Sequence, residues 1–343
     1  MRRLSIAALL ALTLSACGDD PSDAGSDAGS TAPAPATTEA AAAPAGNPSG
    51  CLDDGAWTPG TDLFVDQVSV EHAKEWSVTY GENYKVVTVD TDTGPDVAEE
   101  TYVLVQCGTP APELSGELDA AFTIEVPIRT LWEGGGAVYG AIEDLGVADS
   151  VVGWVYPPDG VEFLPGLAAR ADQIAAVNYG ESLEPIVEAA PSLYLQYEGP
   201  EALQRLRETG ITAVHYSPFS EDPLGSAEQL KFLSLFYNLE AEANAAFDPI
   251  EARYLELQSQ VADLDRPSVL LGSISEGEFV SRENDRIEAH LIRDGGGTVL
   301  LDETDLGPTI RDFTPISLES VLDVAADADF WFAMNYVPEE QTA

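Results

Sequence analysis

Residues 122–155 read FTIEVPIRTLWEGGGAVYGAIEDLGVADSVVGWV, and their pattern decides the fold class. The apolar run at 122–128 predicts a strand, and the Gly-rich stretch at 132–136 predicts a loop. The amphipathic stretch ending at Leu145-Gly146 predicts a helix, and the apolar run at 151–155 predicts a second strand. Strand, loop, helix and strand in this order form the unit of an α/β fold. The unit runs on through Ser182-Leu183-Glu184-Pro185-Ile186-Val187, a helix start, to a strand at 193–197 behind Pro191-Ser192.

The same order recurs further along. A strand at 268–274 leads into a polar loop at 275–284, and a helix ends at Asp294-Gly295-Gly296-Gly297. A strand at 298–301 follows, then a helix start at Ser317-Leu318-Glu319-Ser320-Val321-Leu322, and a strand at 330–334 behind Ala326-Asp327-Ala328-Asp329. Both the element order and the Ser-Leu-Glu helix starts repeat, so two lobes of one design are expected. Upstream, residues 84–90 and 101–107 flank a Thr-Gly-Pro-Asp turn region and predict a hairpin. Between the copies, residues 226–263 carry the longest helical pattern. Leu230, Leu233, Phe236 and Tyr237 recur at helical spacing, as do Ala243, Ala246, Phe247 and Ile250, with Tyr254, Leu257 and Val261 beyond. Pro249 predicts a new helix start or a kink. The expected organisation is an N-terminal lobe at 51–225, a helical connection at 226–263 and a C-terminal lobe at 264–343.

The beginning of the chain indicates location. Arg2 and Arg3 precede an apolar run at 4–14, too short to span a bilayer and suited to the core of a signal peptide covering residues 1–16. The run ends in Leu14-Ser15-Ala16-Cys17, which resembles the lipobox of bacterial lipoproteins, where cleavage precedes a Cys that is then lipidated. Ordinary secretion with Cys17 incidental is the competing reading. Residues 17–50 consist almost wholly of Ala, Pro, Ser, Thr, Gly and acids, too little apolar bulk to offset chain entropy, and predict a disordered tether.

Composition narrows function. The chain of 343 residues has 60 acidic and 15 basic residues, a formal charge of −45, which argues against binding nucleic acid or anionic lipid through charge. With Cys17 as the anchor, Cys51 and Cys107 remain, an even number in an oxidising compartment, and a disulfide between them is expected. Three scattered His, 72, 215 and 290, and the absence of Cys-x-x-Cys spacing leave no metal cage, so neither metal nor cofactor is expected. No G-x-S-x-G or H-E-x-x-H motif is present, and a surface lipoprotein hydrolase stands as a rival reading, beside a purely structural or adhesive lipoprotein.

Several stretches resemble bacterial ABC-transporter substrate-binding proteins of the helical-linker class, which handle ferric siderophores, haem and cobalamin. They are Tyr84-Lys85-Val86-Val87-Thr88-Val89, Tyr102-Val103-Leu104-Val105-Gln106-Cys107-Gly108, and Pro223-Leu224-Gly225-Ser226-Ala227-Glu228 followed by Lys231-Phe232. The resemblance implies two α/β lobes joined by a long helical linker, a class III periplasmic-binding-protein-like fold. It further implies a ligand in the inter-lobe cleft, no enzymatic activity, and delivery by a monomer to an ABC permease with its ATPase. One Glu at a helix start in each lobe pairs with permease Arg residues in the cobalamin-binding relatives, and Glu184 and Glu319 match those positions, with Ser182 and Ser317 as expected N-caps. Relatives that bind cobalamin place tryptophans where this chain has Asn178 and Phe313, a departure from that pattern.

Open α/β sheets bind ligands outside the carboxyl ends of their strands. In the first lobe those loops offer Arg129, Trp132, Trp154, Tyr156, Asn178, Tyr179, Tyr197 and Tyr216, and in the second Phe279, Arg282, Arg286 and Phe313. Aromatic faces suit a large ring-bearing ligand. Arg129, Arg282 and Arg286 would form a cationic spot for a carboxylate- or catecholate-bearing iron chelate. Each Arg also has the plainer reading of a salt bridge to one of the many acids, and each aromatic that of a core residue. The Gly134-Gly135-Gly136 loop offers backbone amides to an anion, without the spacing of a nucleotide site. The expected ligand is an iron chelate, siderophore or haem-like, with cobalamin as the alternative.

Overall fold

The computed structural model describes residues 46–90, 99–155, 161–178, 183–196, 200–216, 222–282, 286–307 and 315–333. The chain divides into units Met1–Ala43 and Pro44–Ala343, and every described residue belongs to the second. The expected leader, Cys17 and most of the tether lie outside the described residues.

The first sheet is built of β1 (Trp76–Tyr80), β2 (Tyr84–Asp90), β3 (Glu99–Gln106) and β4 (Phe122–Val126), in that order. The first two pairs are antiparallel, and β3 runs parallel to β4. Alternation along β2 turns Lys85, Val87 and Val89 inward. The expected hairpin is therefore present, and β1 extends it on the far side. Cys51 and Cys107 are joined in a disulfide, as expected. Gly108 follows at φ 85°, and a Cβ there would lie 2.1 Å from Leu52 O, so only glycine lets the two chain segments meet.

The apolar run at 122–128 is not the first strand of the repeated unit in the N-terminal lobe. Pro127 has no amide hydrogen to continue a ladder, and Ile128 N donates instead to Phe236 O at 2.8 Å. That unit's first strand is β5 (Leu131–Glu133). After it come α1 (Tyr139–Asp144), β6 (Val151–Val155), α2 (Pro165–Ala168), β7 (Ala175–Val177), α3 (Glu184–Ala189), β8 (Leu193–Gln196), α4 (Pro200–Glu208) and β9 (Ala213–His215). The five strands are all parallel in the order β7-β6-β5-β8-β9. Covered on both faces, β5 and β8 are buried at every residue, so β8 reads as an apolar run without alternation, whereas Trp132 and Glu133 of β5 fall in the stretch expected to be a loop.

Residues 226–263 are not one helix. They fall in α5 (Pro223–Ser234) and α6 (Glu240–Val261). The break is at Asn238, which adopts a left-handed φ of 60°, whereas Pro249 sits inside α6. Asn238 holds the corner by donating to Pro48 O and Gln106 Oε1, both at 2.8 Å. Leu230, Leu233, Phe236, Tyr237, Ala243 and Phe247 belong to the large core that also contains β1–β6, while Leu257 and Ile250 are exposed.

The C-terminal lobe contains β10 (Ser268–Leu271), β11 (Ser273–Ser275), β12 (Glu278–Val280), α7 (Ile287–Asp294), β13 (Thr298–Val299), β14 (Pro315–Ile316), α8 (Leu318–Ala325) and β15 (Phe330–Phe332). Its parallel sheet has the order β13-β10-β15. This repeats the β6-β5-β8 arrangement of the first lobe: the first strand lies centrally, the second on one side, and the strand after the Ser-Leu-Glu helix on the other. The predicted polar loop at 275–284 instead contains β12, part of the antiparallel sheet β11-β12-β14. Ser317 caps α8, its side chain accepting from Ser320 N. The N-cap position of α3 is Leu183, without a side-chain bond, and Ser182 lies outside the described residues.

Candidate functional site

In the five-stranded sheet the strand order reverses between β5 and β8, and the crevice outside their carboxyl ends is the place where such sheets take ligands. There β5 ends in Glu133 and enters Gly134, whose amide donates to Leu195 O at 2.8 Å. A Cβ on Gly134 would lie 2.5 Å from that oxygen, so the loop crosses the end of β8 in direct backbone contact. The turn then aims two amides back at the strand. Gly135 N lies 3.0 Å from Glu133 Oε1, and Gly136 N lies 2.6 Å from each carboxylate oxygen.

Two phenols complete the enclosure. Tyr216, just after β9, donates to Glu133 Oε1 at 3.0 Å and accepts from Ala137 N at 3.3 Å. The Tyr139 hydroxyl, at the start of α1, also hydrogen-bonds Glu133. Glu133 has no exposed surface. Burial pushes its carboxyl above the usual carboxylate range, against the opposing pull of the Gly136 and Gly135 amides and the two phenols. Burial and the neighbouring Glu133 charge push both phenols upward, so they stay protonated donors. The amide cradle read from the three glycines therefore exists, and the chain's own carboxylate fills it. Glu133 and Tyr139 were absent from the expected site. An acid ending the strand immediately before Gly-Gly-Gly was the signal available in the sequence.

Arg129 lies at the other end of the sheet. Because β4 ends at Val126 and β5 starts at Leu131, Arg129 lies on the connection between them, at the amino end of β5. It lines a cavity of about 520 Å³ with Thr123, Glu125, Ser192, Thr212 and the disulfide, its Nη2 3.7 Å from Cys51 Sγ. Trp132 and Trp154 are buried, Trp132 against Gly153, where a Cβ would fall 2.3 Å from the indole. Trp154 meets Tyr139 edge-on at 6.1 Å. Tyr216 is buried and acts through its hydroxyl on Glu133. Asn178 is exposed directly after β7. Tyr156, Tyr179, Tyr197 and Phe313 lie outside the described residues.

In the C-terminal lobe Phe279 is on β12, packed in a core with Leu270, Leu301, Ile316 and Val321, and presents no open face. Arg282 Nε lies 3.7 Å from Glu288 Oε1, both side chains largely buried. Arg286 is the N-cap residue of α7. Phe279 and Trp132 thus belong to the separate cores of their own lobes. Glu184 and Glu319 are both exposed in the first turns of α3 and α8.

No family model matches the chain. A periplasmic binding protein from Veillonella parvula superposes with a TM-score of 0.55 at 12% identity, covering 74% of this chain and 78% of that one. The chain has a periplasmic-binding-protein fold. Two α/β lobes joined by a helical segment agree with the fold that the sequence resemblance implied. The vitamin B12 binding protein BtuF of Vibrio cholerae aligns at a TM-score of 0.48 and 15% identity over 61% of this chain and 77% of that one. The periplasmic heme-binding protein RhuT from Roseiflexus sp. RS-1 aligns at 0.48 and 18% over 61% and 77%. An uncharacterized lipoprotein of Methanocaldococcus jannaschii is 27% identical over 164 residues, 45% of this chain and 39% of that protein. The match therefore spans about two-fifths of that relative's length.

Proposed function

We propose that the protein is a solute-binding receptor of an ABC importer. Anchored outside the cytoplasm by a lipid on Cys17, it captures an iron chelate, siderophore or haem-like, between lobes 51–225 and 264–343 and passes it to the permease. The observation that carries this reading is the strand-order reversal at β5 and β8, repeated in miniature at β10, within a periplasmic-binding-protein fold. Such an arrangement gives each lobe a ligand-facing edge. A ligand touching both edges favours the approach of the lobes by its differential contacts, a population shift. Helix α6, 22 residues long, limits that motion to small tilts. Glu184 and Glu319 are assigned to contact Arg residues of the permease, where exposed charge pairs set orientation and encounter rate.

Titration of intrinsic tryptophan fluorescence with ferric siderophores, haem and cobalamin tests the proposal, because Trp132 adjoins Glu133 and Trp154 packs on Tyr139. A saturable change with one member of the panel is expected. A folded chain that responds to none of them refutes the chelate reading, and a preferred response to cobalamin selects the alternative ligand.

A further inference from the structure

We propose that Glu133 sets the charge class of the ligand: by occupying the amide cradle at the β5–β8 crevice, it restricts the site to chelates that present a neutral or cationic group there. The inference rests on the chelate-receptor reading and narrows it. Three observations converge on it.

The first is the cradle itself. Backbone amides converging at the end of a strand form a ready seat for an anion, yet Gly135 N and Gly136 N are both spent on Glu133 at 2.6–3.0 Å. The Tyr216 hydroxyl, a further donor that an incoming carboxylate or catecholate would use, is committed to the same oxygen. This exclusion is one of space and hydrogen-bonding capacity, so it holds whether the Glu133 carboxyl is ionised or protonated.

The second is the placement of the cations expected to select an anion. Arg129 opens on the cavity beside the disulfide, at the amino end of the strands. Arg282 faces Glu288, and Arg286 stands at the N-cap of α7. The third is the field of the whole molecule. With 60 acids against 15 basic residues, an approaching anion is repelled and a cation is drawn in, unless a local cationic patch reverses the potential. Together these favour a ferric trihydroxamate, in which three hydroxamates balance the ferric charge and a pendant ammonium adds a positive one, over haem with its two carboxylates or a ferric tricatecholate with three negative charges.

Equilibrium dialysis of the full chain against two iron complexes of similar size tests this: ferrioxamine B, a cationic trihydroxamate, and the trianionic ferric tricatecholate of enterobactin. The native chain is expected to retain the cationic complex at least about tenfold better, since like-charge juxtaposition costs more than one such factor. Glu133→Gln, which keeps an acceptor in the cradle, retains the preference. Glu133→Gly vacates the cradle, and the ratio narrows toward the anionic complex. Circular dichroism confirms that each variant is folded; an unchanged ratio in folded Glu133→Gly, or in Glu133→Ala if the glycine variant does not fold, overturns the role of Glu133 and leaves the preference to the overall charge. Equal or tighter retention of the tricatecholate by the native chain overturns the charge assignment alone. Retention of neither complex, nor of haem or cobalamin, overturns the receptor reading and this inference with it.

Discussion

The Lys85 ammonium on β2 is paired with the carboxylate of Glu240, the first residue of α6, and neither side chain has any exposed surface. The ammonium also donates to Leu235 O at 2.7 Å and Asn238 Oδ1 at 2.9 Å, and it faces the Phe64 ring at 4.6 Å. Asn47 Nδ2 donates to Glu240 at 2.8 Å. Burial pulls the Lys85 ammonium down to about 8 against the pull of Glu240, and burial pushes Glu240 up. Both shifts say that removing the charges from water costs more than their mutual attraction returns. The pair therefore matters as a pin between the first sheet and the inter-lobe helix. Lys85→Met or Glu240→Leu alone is expected to cost about 3–5 kcal/mol, because each leaves a buried partner uncompensated. The double replacement Lys85→Met with Glu240→Leu is expected to cost far less than the sum. Urea unfolding of the four chains measures this coupling, and additive losses would contradict it.

Glu228 gives a pH signature. Its buried carboxylate accepts from Ala73 N at 2.7 Å, His72 N at 2.8 Å and Glu71 N at 3.0 Å, and from Lys231 Nζ at 3.0 Å. Burial acts to raise this carboxyl, but the three amides and Lys231 outweigh it and hold the group below the usual range. A depressed folded value contributes stability that is present above the unfolded value of about 4.3 and is lost as pH falls through the folded one. Glu228→Gln is expected to lose about 1.5–3 kcal/mol at neutral pH. The gap between variant and native denaturation midpoints closes in acid; a gap independent of pH would refute the assignment.

The disulfide closes a loop between positions 56 residues apart in the chain. In the chain-entropy account a loop of this length contributes about 4 kcal/mol. Cys51→Ser with Cys107→Ser, or treatment with a thiol reductant, is expected to lower thermal stability accordingly, and an unchanged melting temperature would show that the segment is held by its other contacts.

Glu184 and Glu319 share an exposed first-turn position in α3 and α8. Replacing both by Ala is expected to abolish uptake in cells carrying the cognate permease while ligand affinity is maintained. Normal uptake by the double variant would remove their docking role.

The fold was legible because burial leaves a period in the sequence. The turn signal between β2 and β3 announced a hairpin, the apolar runs of β6 and β8 announced an α/β fold, and the Ser-Leu-Glu starts announced the duplicated order. What was not legible depended on contacts distant in sequence. The run at 122–128 looks like one strand, yet Pro127 ends its ladder and Ile128 turns to Phe236. That displacement moves Arg129 from the carboxyl to the amino end of the sheet. Trp132 is an aromatic beside a glycine loop, and only Gly153 on the neighbouring strand, leaving room for the indole, makes it a core residue. Asn238 breaks the linker because Pro48, Gln106 and Lys85 converge on its side chain, partners that no local pattern announces.

Hydrogen–deuterium exchange, read by mass spectrometry on the full chain with and without saturating ferrioxamine B, haem or cobalamin, tests where the ligand sits. Binding at the β5–β8 crevice predicts ligand-dependent protection in peptides covering residues 133–139 and 193–196, together with peptides of the C-terminal lobe. Protection confined to the cavity around Arg129 and the disulfide, or limited to one lobe, would contradict capture between the lobes at this crevice.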